Sequence, residues 1–483
     1  MTTPTPDNND ATLAQQLAAT AAGIAATGLS AELRAATAQR VTDALGNALG
    51  AAHLPVVEQM RSVVAGWGGH PQSSVVAGAP TSAPNAALLN GTMAHALDFD
   101  DTHLPSVLHP SASVVPAALA AAELANASGP ELLDAITMGV EVTCRLGMAG
   151  YDTELGNSVF FEHGLHATSI TGTIGSAVAA AMLLRPEAGV IASAIGIASS
   201  MGAGLLEANR TGGTVKRIHC GWAAHGGVTA AQAAAAGVTG PPTVLEGRFG
   251  FLQAFLADRA DLDAVTNNLG TEWVIPTLFF KPYPCNHFTH AGIDAARAMK
   301  ARGVDPDRIT ALTLGAPTPV LRTIAEPAAD KARPESGYHA AFSGPFTLAS
   351  AFYSEHGLGL FHEDFTDDAA KDERKLALAA KVTCEPNAEC DEIFPYQFPA
   401  VVTATLDDGS TITEKVLVNR GGPGNPLTED ELGTKFTLNA SEVMGATRAH
   451  MLHNAITDLA TGATNPRDIG SMLRASTLAE VSA

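Results

Sequence analysis

The sequence predicts a mainly α protein: a large all-α helical domain plus a smaller α+β lid domain. Three observations carry that reading. Alanine supplies about ninety of the 483 residues and glycine 46, while aromatic residues are only 5%. Small side chains let helices approach closely, and alanine has the highest helix propensity. From Ala11 to about Val265, Ala/Leu/Val segments recur at helical spacing and are divided by Gly and Pro. Strand-like alternation appears only after about Trp273.

In chain order, helices are expected over 31–50, 82–96, 111–127, 129–148, 168–184 and 223–237. Strands follow over 309–314, 381–384, 400–406 and 412–418. The last two are joined by Asp407, Asp408 and Gly409, a good hairpin signal. Beyond the loop rich in Gly and Pro at 421–426, helical patterning returns over 428–439 and 441–460. The predicted layout is therefore a discontinuous helical domain (1–275 and 419–463) with an α+β insert (276–418). A C-terminal tail (464–483) is expected to pack on the lid.

Charge narrows the partners. Twenty-eight Lys+Arg against 49 Asp+Glu give a net charge of −21. With no basic run, this argues against nucleic acid or an anionic membrane surface. The first ten residues lack the positive charge and apolar stretch of a signal peptide. Five scattered cysteines without CxxC spacing fit reduced thiols, so a cytoplasmic location is expected. The uncharged stretches 163–184 and 188–206 are long enough to span a bilayer, but their Gly, Ala, Ser and Thr content favours buried helices.

Only 16% of the chain is charged, so clustered titratable groups stand out. The first cluster runs from His95 through Asp98, Asp100, Asp101, Thr102 and His103 to His109, Pro110 and Ser111. It places His109 beside a helix N-terminus, where backbone N–H groups favour an anion. Helix capping is the plainer reading of these carboxylates. A metal reading of His95, Asp98, Asp101, His103 and His109 fits no named spacing. The second cluster is His163 and His166 ahead of an Ala/Gly helix, with Thr168 as candidate cap. The third, from Arg210 and the glycines 212–213 to Lys216 and Arg217, suits a carboxylate or phosphate. The fourth holds Lys281, Tyr283, Cys285, Asn286, His287 and His290 where the helical part gives way to the α+β part. Cations that polarise a carboxylate acidify the adjacent C–H, and a near-neutral His can move the proton. The collection suits dehydration, decarboxylation or epimerisation next to a carboxylate.

These residues also carry a resemblance. Asn90, Gly91, His95, Asp98 to Thr102 and His109 to Ser111 resemble the signature of the MmgE/PrpD family. So do Gly164 to Thr168, Val215 to Gly226, Lys281 to Cys285 with His290, and Gly424 to Phe436. The family includes 2-methylcitrate dehydratase, cis-aconitate decarboxylase and iminodisuccinate epimerase. The resemblance implies a homodimer with no obligatory metal or cofactor, acting on a small anionic carboxylate. It implies catalytic roles for Asp98, Thr102, His109, His166, Lys216 and Lys281. Arg217, Tyr283, Asn286 and His287 are the accompanying substrate-binding candidates. Asn286 departs from the family's decarboxylases, which have a histidine there. A lyase is thus the leading expectation and an epimerase or isomerase the runner-up. A metal-dependent hydrolase and an inactive helical binding protein are more distant.

Overall fold

In the computed structural model, residues 11–208, 213–355 and 357–474 are described. They divide into two compact units, Met1–Leu278 with Leu432–Ala483, and Phe279–Glu431.

The first unit is built from helices. Its principal ones are α1 (Leu13–Thr27), α2 (Ala31–Gly50), α3 (Pro55–Trp67), α4 (Ala83–His95), α5 (Ser111–Ala125), α6 (Gly129–Met148), α7 (Val159–Glu162), α8 (Ala167–Leu184), α9 (Ala188–Ala198) and α10 (His219–Ala235). A two-strand ribbon, β1 (Tyr151–Asp152) and β2 (Asn157–Ser158), is its small β element. Helices α5 and α8 lie almost wholly inside the core, beside α4, α6 and α10. The alanine and glycine surplus has a concrete purpose at the α4–α10 crossing. A Cβ on Gly91 would stand 2.9 Å from the Gly221 Cα, and one on Gly221 would stand 2.2 Å from the Leu88 carbonyl oxygen. Only glycine permits backbones that close.

Helix α8 is long and apolar enough to cross a membrane by length and composition, yet 89% of that stretch is buried inside the protein. The other uncharged stretch, 188–206, contributes only the eleven-residue helix α9. Expected helix starts differ by a few residues. The helix read from 223 begins at His219, because the 3-10 helix Val215–Ile218 feeds directly into it.

The second unit holds a four-stranded sheet in the order β4-β3-β5-β6, from β3 (Ile309–Ala316), β4 (Val382–Pro386), β5 (Ala400–Leu406) and β6 (Thr411–Val416). Strands β3 and β4 are parallel, while β3–β5 and β5–β6 are antiparallel. The hairpin turn places Gly409 at φ 82°, the conformation for which glycine is suited. Alternate residues of β5 are buried, with α11 (His290–Ala301) packed against it. Helix α12 (Gly344–Tyr353) packs on α11 and completes this core.

The chain closes with α13 (Glu429–Met444), α14 (Ala446–Asp458) and α15 (Pro466–Leu473). The break between α13 and α14 falls at Gly445, with φ 77°, and not near residue 440 as the periodicity suggests. The tail also differs from expectation. Ile469 and Leu473 of α15 are buried in the core of the first unit, because its apolar face matches the α5 and α14 surface there. Residues 475–483 and the leader 1–10 lie outside the described residues.

Candidate functional site

The first cluster folds as a pinched loop between α4 and α5. His103 N–H donates to the Leu108 carbonyl at 2.8 Å, and Leu108 N–H returns to the His103 carbonyl at 3.2 Å. This small antiparallel bridge brings Thr102 and His109 face to face, with Thr102 Oγ1 and His109 Nδ1 3.5 Å apart. Inside the loop, His103 Nδ1 and Ser106 Oγ are 2.6 Å apart. Burial pushes the His103 imidazole down to about 4, so it is neutral and structural.

The three carboxylates of the loop take three separate tasks. Asp98 sits at φ 53°, an uncommon conformation for a non-glycine residue, and its Oδ1 accepts from Lys216 Nζ at 3.1 Å. Asp100 Oδ2 lies 2.7 Å from His95 Nδ1, and both side chains are buried. Asp101 accepts from the Ser111 N–H at 3.2 Å and from its hydroxyl at 2.6 Å. The anion expected at this helix N-terminus is therefore the protein's own Asp101. Burial raises the Asp101 carboxyl to about 6, against the opposing pull of Arg40 and Ser111.

His109 is oriented by the same loop. Its Nδ1 is 2.9 Å from the Asp101 carbonyl, which can only accept. Nδ1 thus carries the hydrogen and the lone pair falls on Nε2. Its backbone N–H donates to Thr168 Oγ1 at 3.3 Å. Thr168 lies within α8 and is not its cap; His166 occupies the cap position without a side-chain capping bond.

Four imidazoles form a chain through this region. Ring centres are 5.5 Å apart for His109–His95, 5.5 Å for His95–His166 and 5.0 Å for His166–His219. Burial and the neighbouring His95 and Lys216 hold His166 well below the usual imidazole range, and His219 falls to about 4. Asp98, Thr102, His109, His166 and Lys216 are thus assembled in the first unit, mostly buried. Arg217 behaves differently. On a 3-10 helix, neighbours point roughly 120° apart, so Lys216 turns to Asp98 while Arg217 is half-buried. Arg210, Thr211 and Gly212 lie outside the described residues.

A framework beneath the loop escaped the sequence reading. Lys435 Nζ is 2.6 Å from Asp43 Oδ1, donates to the Phe99 carbonyl at 2.8 Å and sits 3.7 Å from the Phe99 ring centre. Asn47 donates to the same carbonyl at 3.1 Å. Phe99 lies between Asp98 and Asp100, so these contacts fix both carboxylates. His219 was also overlooked as a separate group, although its position three residues after Lys216 was a usable signal. Among the described residues, His95, Asp100 and Cys220 have ligand atoms within 4.8 Å of one another. This set differs from the metal set considered from spacing, and a cation there would have to replace the His95–Asp100 hydrogen bond.

The fourth cluster belongs to the second unit. Lys281 is buried in a non-helical segment, in keeping with the prolines that follow it. Tyr283 is fully buried; its hydroxyl donates to Asp294 at 2.5 Å and accepts from Arg297 at 2.9 Å. The Tyr283 hydroxyl is thereby already bonded on both sides within the second unit. Asn286 Oδ1 caps the following turn through the Phe288 N–H at 3.0 Å. His287 is packed edge-on against Phe279 and Phe398, with Nε2 3.1 Å from Asn419 Nδ2. Both residues are engaged in holding this segment.

Comparison with known proteins shows the family. The MmgE/PrpD N-terminal domain matches residues 15–262, and the MmgE/PrpD C-terminal domain matches residues 283–461. The chain is 27% identical over 438 residues to the cis-aconitate decarboxylase-like protein oryM of Aspergillus oryzae, covering 87% of this chain and 89% of that protein. It is 30% identical over 371 residues to the cis-aconitate decarboxylase of Mus musculus, covering 74% and 72%. For the Homo sapiens cis-aconitate decarboxylase the identity is 31% over 367 residues, covering 74% and 73%. Two domain matches in order, spanning most of the sequence, settle the family: this chain belongs to the MmgE/PrpD family.

Proposed function

We propose that the protein is a cofactor-independent lyase acting on a small di- or tricarboxylate, with decarboxylation of an unsaturated acid of the cis-aconitate class as the reaction. The single observation that carries the reading is the convergence of His109, His166, Asp98 and buried Lys216 in one desolvated region. The names of the relatives point the same way.

In this reading, Lys216 and His166 hold carboxylates. The bond from carbon to the departing carboxylate breaks, carbon dioxide leaves, and the electron pair spreads into a conjugated carboxylate held by Lys216. His109, with Nδ1–H donating to the Asp101 carbonyl, first takes a proton from solvent on the Nε2 lone pair. It then delivers that proton from Nε2 to carbon and returns to the neutral Nδ1–H form. Low dielectric strengthens each of these interactions. Lys281 keeps its substrate-binding assignment from the motif alone, and Lys281→Ala is its separate test. Dehydration would use the same proton-handling groups with water as leaving group.

The experiment is proton NMR of wild type and His109→Ala with cis-aconitate and related polycarboxylates in D₂O. Conversion with one solvent deuteron in the product, lost in the variant, supports the proposal. Deuterium exchange without loss of carbon dioxide or water assigns an isomerase instead.

A further inference from the structure

The Nδ1 atoms of His166 and His219 stand 3.0 Å apart. At that distance two lone pairs repel and two N–H groups clash, so one hydrogen lies between the rings. A neutral imidazole has one N–H, and the neighbouring Lys216 and the burial of the pair disfavour a further cation. The two rings must then hold complementary tautomers.

The surroundings keep the pair together. Ser169 Oγ donates to the His219 carbonyl at 3.1 Å, and the His166 N–H donates to the Gly204 carbonyl at 3.0 Å. A Cβ on Gly204 would stand 3.0 Å from His166 Cβ and 3.4 Å from His219 Nδ1. Gly204 therefore lies against the base of the His166 side chain and the His219 ring.

We infer that His219 is a positioning residue that sets the tautomer of His166. With a carboxylate bound, His219 Nδ1–H donates to His166 Nδ1, and His166 carries its hydrogen on Nε2 and offers it to the anion. The reverse arrangement would aim the His166 lone pair at a negative oxygen. The pair thus provides a neutral hydrogen-bond donor beside Lys216 without burying a second positive charge. This inference deepens the proposed carboxylate site and rests on that reading.

The test uses the full-length protein labelled with ¹⁵N-histidine and two-bond nitrogen–hydrogen correlation spectra, which show which nitrogen of each ring carries hydrogen. His166→Asn assigns the signals. Propane-1,2,3-tricarboxylate, which has no double bond, is the probe. His166 is expected as the Nε2–H tautomer and His219 as Nδ1–H in the presence of the probe. His219→Phe should leave His166 a mixture of tautomers and raise KM about tenfold, with kcat changed less than about threefold. His219→Asn, whose amide nitrogen reaches near the Nδ1 position, should recover most of that loss. An Nδ1–H tautomer for probe-bound His166, or an unchanged His166 in His219→Phe, overturns the inference. If no polycarboxylate binds, the functional reading fails separately. The ligand-free spectrum then still decides, because two rings of one tautomer would refute the pairing. Should His219→Phe not fold, the wild-type and His219→Asn spectra carry the same decision.

Discussion

His109 is oriented by the Asp101 carbonyl and the Thr102 and Thr168 hydroxyls, with Asp100 Oδ2 3.9 Å from Nδ1 and the His95 ring beside it. Replacing it by Ala leaves those groups in place and removes the proton carrier, so kcat should fall by roughly 10²–10⁴ while the fold persists. Steady-state rates and a circular dichroism melt check the two halves of that statement. His103 is a different case. Its folded-state value of about 4 lies below the unfolded value near 6.5, so the unfolded chain binds the proton first as pH falls. Its contribution to stability is present above about pH 6.5 and is lost progressively toward pH 4. Between pH 7 and 5 the loss is roughly 1–2 kcal/mol. Asp101 acts with opposite sign: raised to about 6 from the usual carboxyl range, it favours the folded state more at low pH. Urea titrations at pH 7 and 5 should therefore show His103→Gln losing less stability on acidification than wild type. The residue scale was also where the sequence was most readable. Asp98, Thr102 and His109 are close along the chain, so their grouping needed no knowledge of long-range packing. Their separate tasks were not readable, because whether a carboxylate meets Lys216, His95 or Ser111 depends on the loop's path.

At the scale of elements, the site depends on α13, which meets the Asp98–Asp101 loop through Lys435. Lys435→Met would leave buried Asp43 without its ion pair and release the Phe99 carbonyl. Removing one partner of a buried pair typically costs about 3–5 kcal/mol. A lowered melting midpoint is expected, together with a reduced kcat in the fraction that stays folded. Gly221→Ala tests the α4–α10 crossing, since its methyl would meet the Leu88 carbonyl oxygen and Thr92. Overpacking of this kind costs about 1–3 kcal/mol, and the displaced α10 carries His219. Denaturant midpoints read the first effect, and KM the second. The helices and the β5–β6 hairpin were legible because periodicity and turn residues are local signals. Lys435 was not, because the partners Asp43 and Phe99 lie more than 300 residues away in sequence and only packing unites them. The partners of Tyr283 were hidden for a related reason: a tyrosine beside Lys281 looks the same in sequence whether or not its hydroxyl bonds Asp294 and Arg297.

For the whole molecule, sparse charge proved informative in two ways. It marked the clusters against an apolar background, and it showed that 28 Lys+Arg leave 49 Asp+Glu largely uncompensated, at a net −21. Long-range attraction of a carboxylate is therefore weak, and under the proposed function capture relies on short-range groups such as Lys216 and the His166–His219 pair. The sequence texture changes near Trp273, whereas the limits of the two units at Phe279 and Glu431 are set by the tertiary packing itself. The central claim is that His109 transfers a proton to a carbon next to a carboxylate. Proton NMR of cis-aconitate turnover in D₂O tests it most directly, comparing wild type with His109→Ala. The account requires loss of carbon dioxide with one deuteron incorporated by wild type, and a rate at least about 100-fold lower in the variant. Equal rates in the two proteins, or no conversion of any polycarboxylate by wild type, would contradict it.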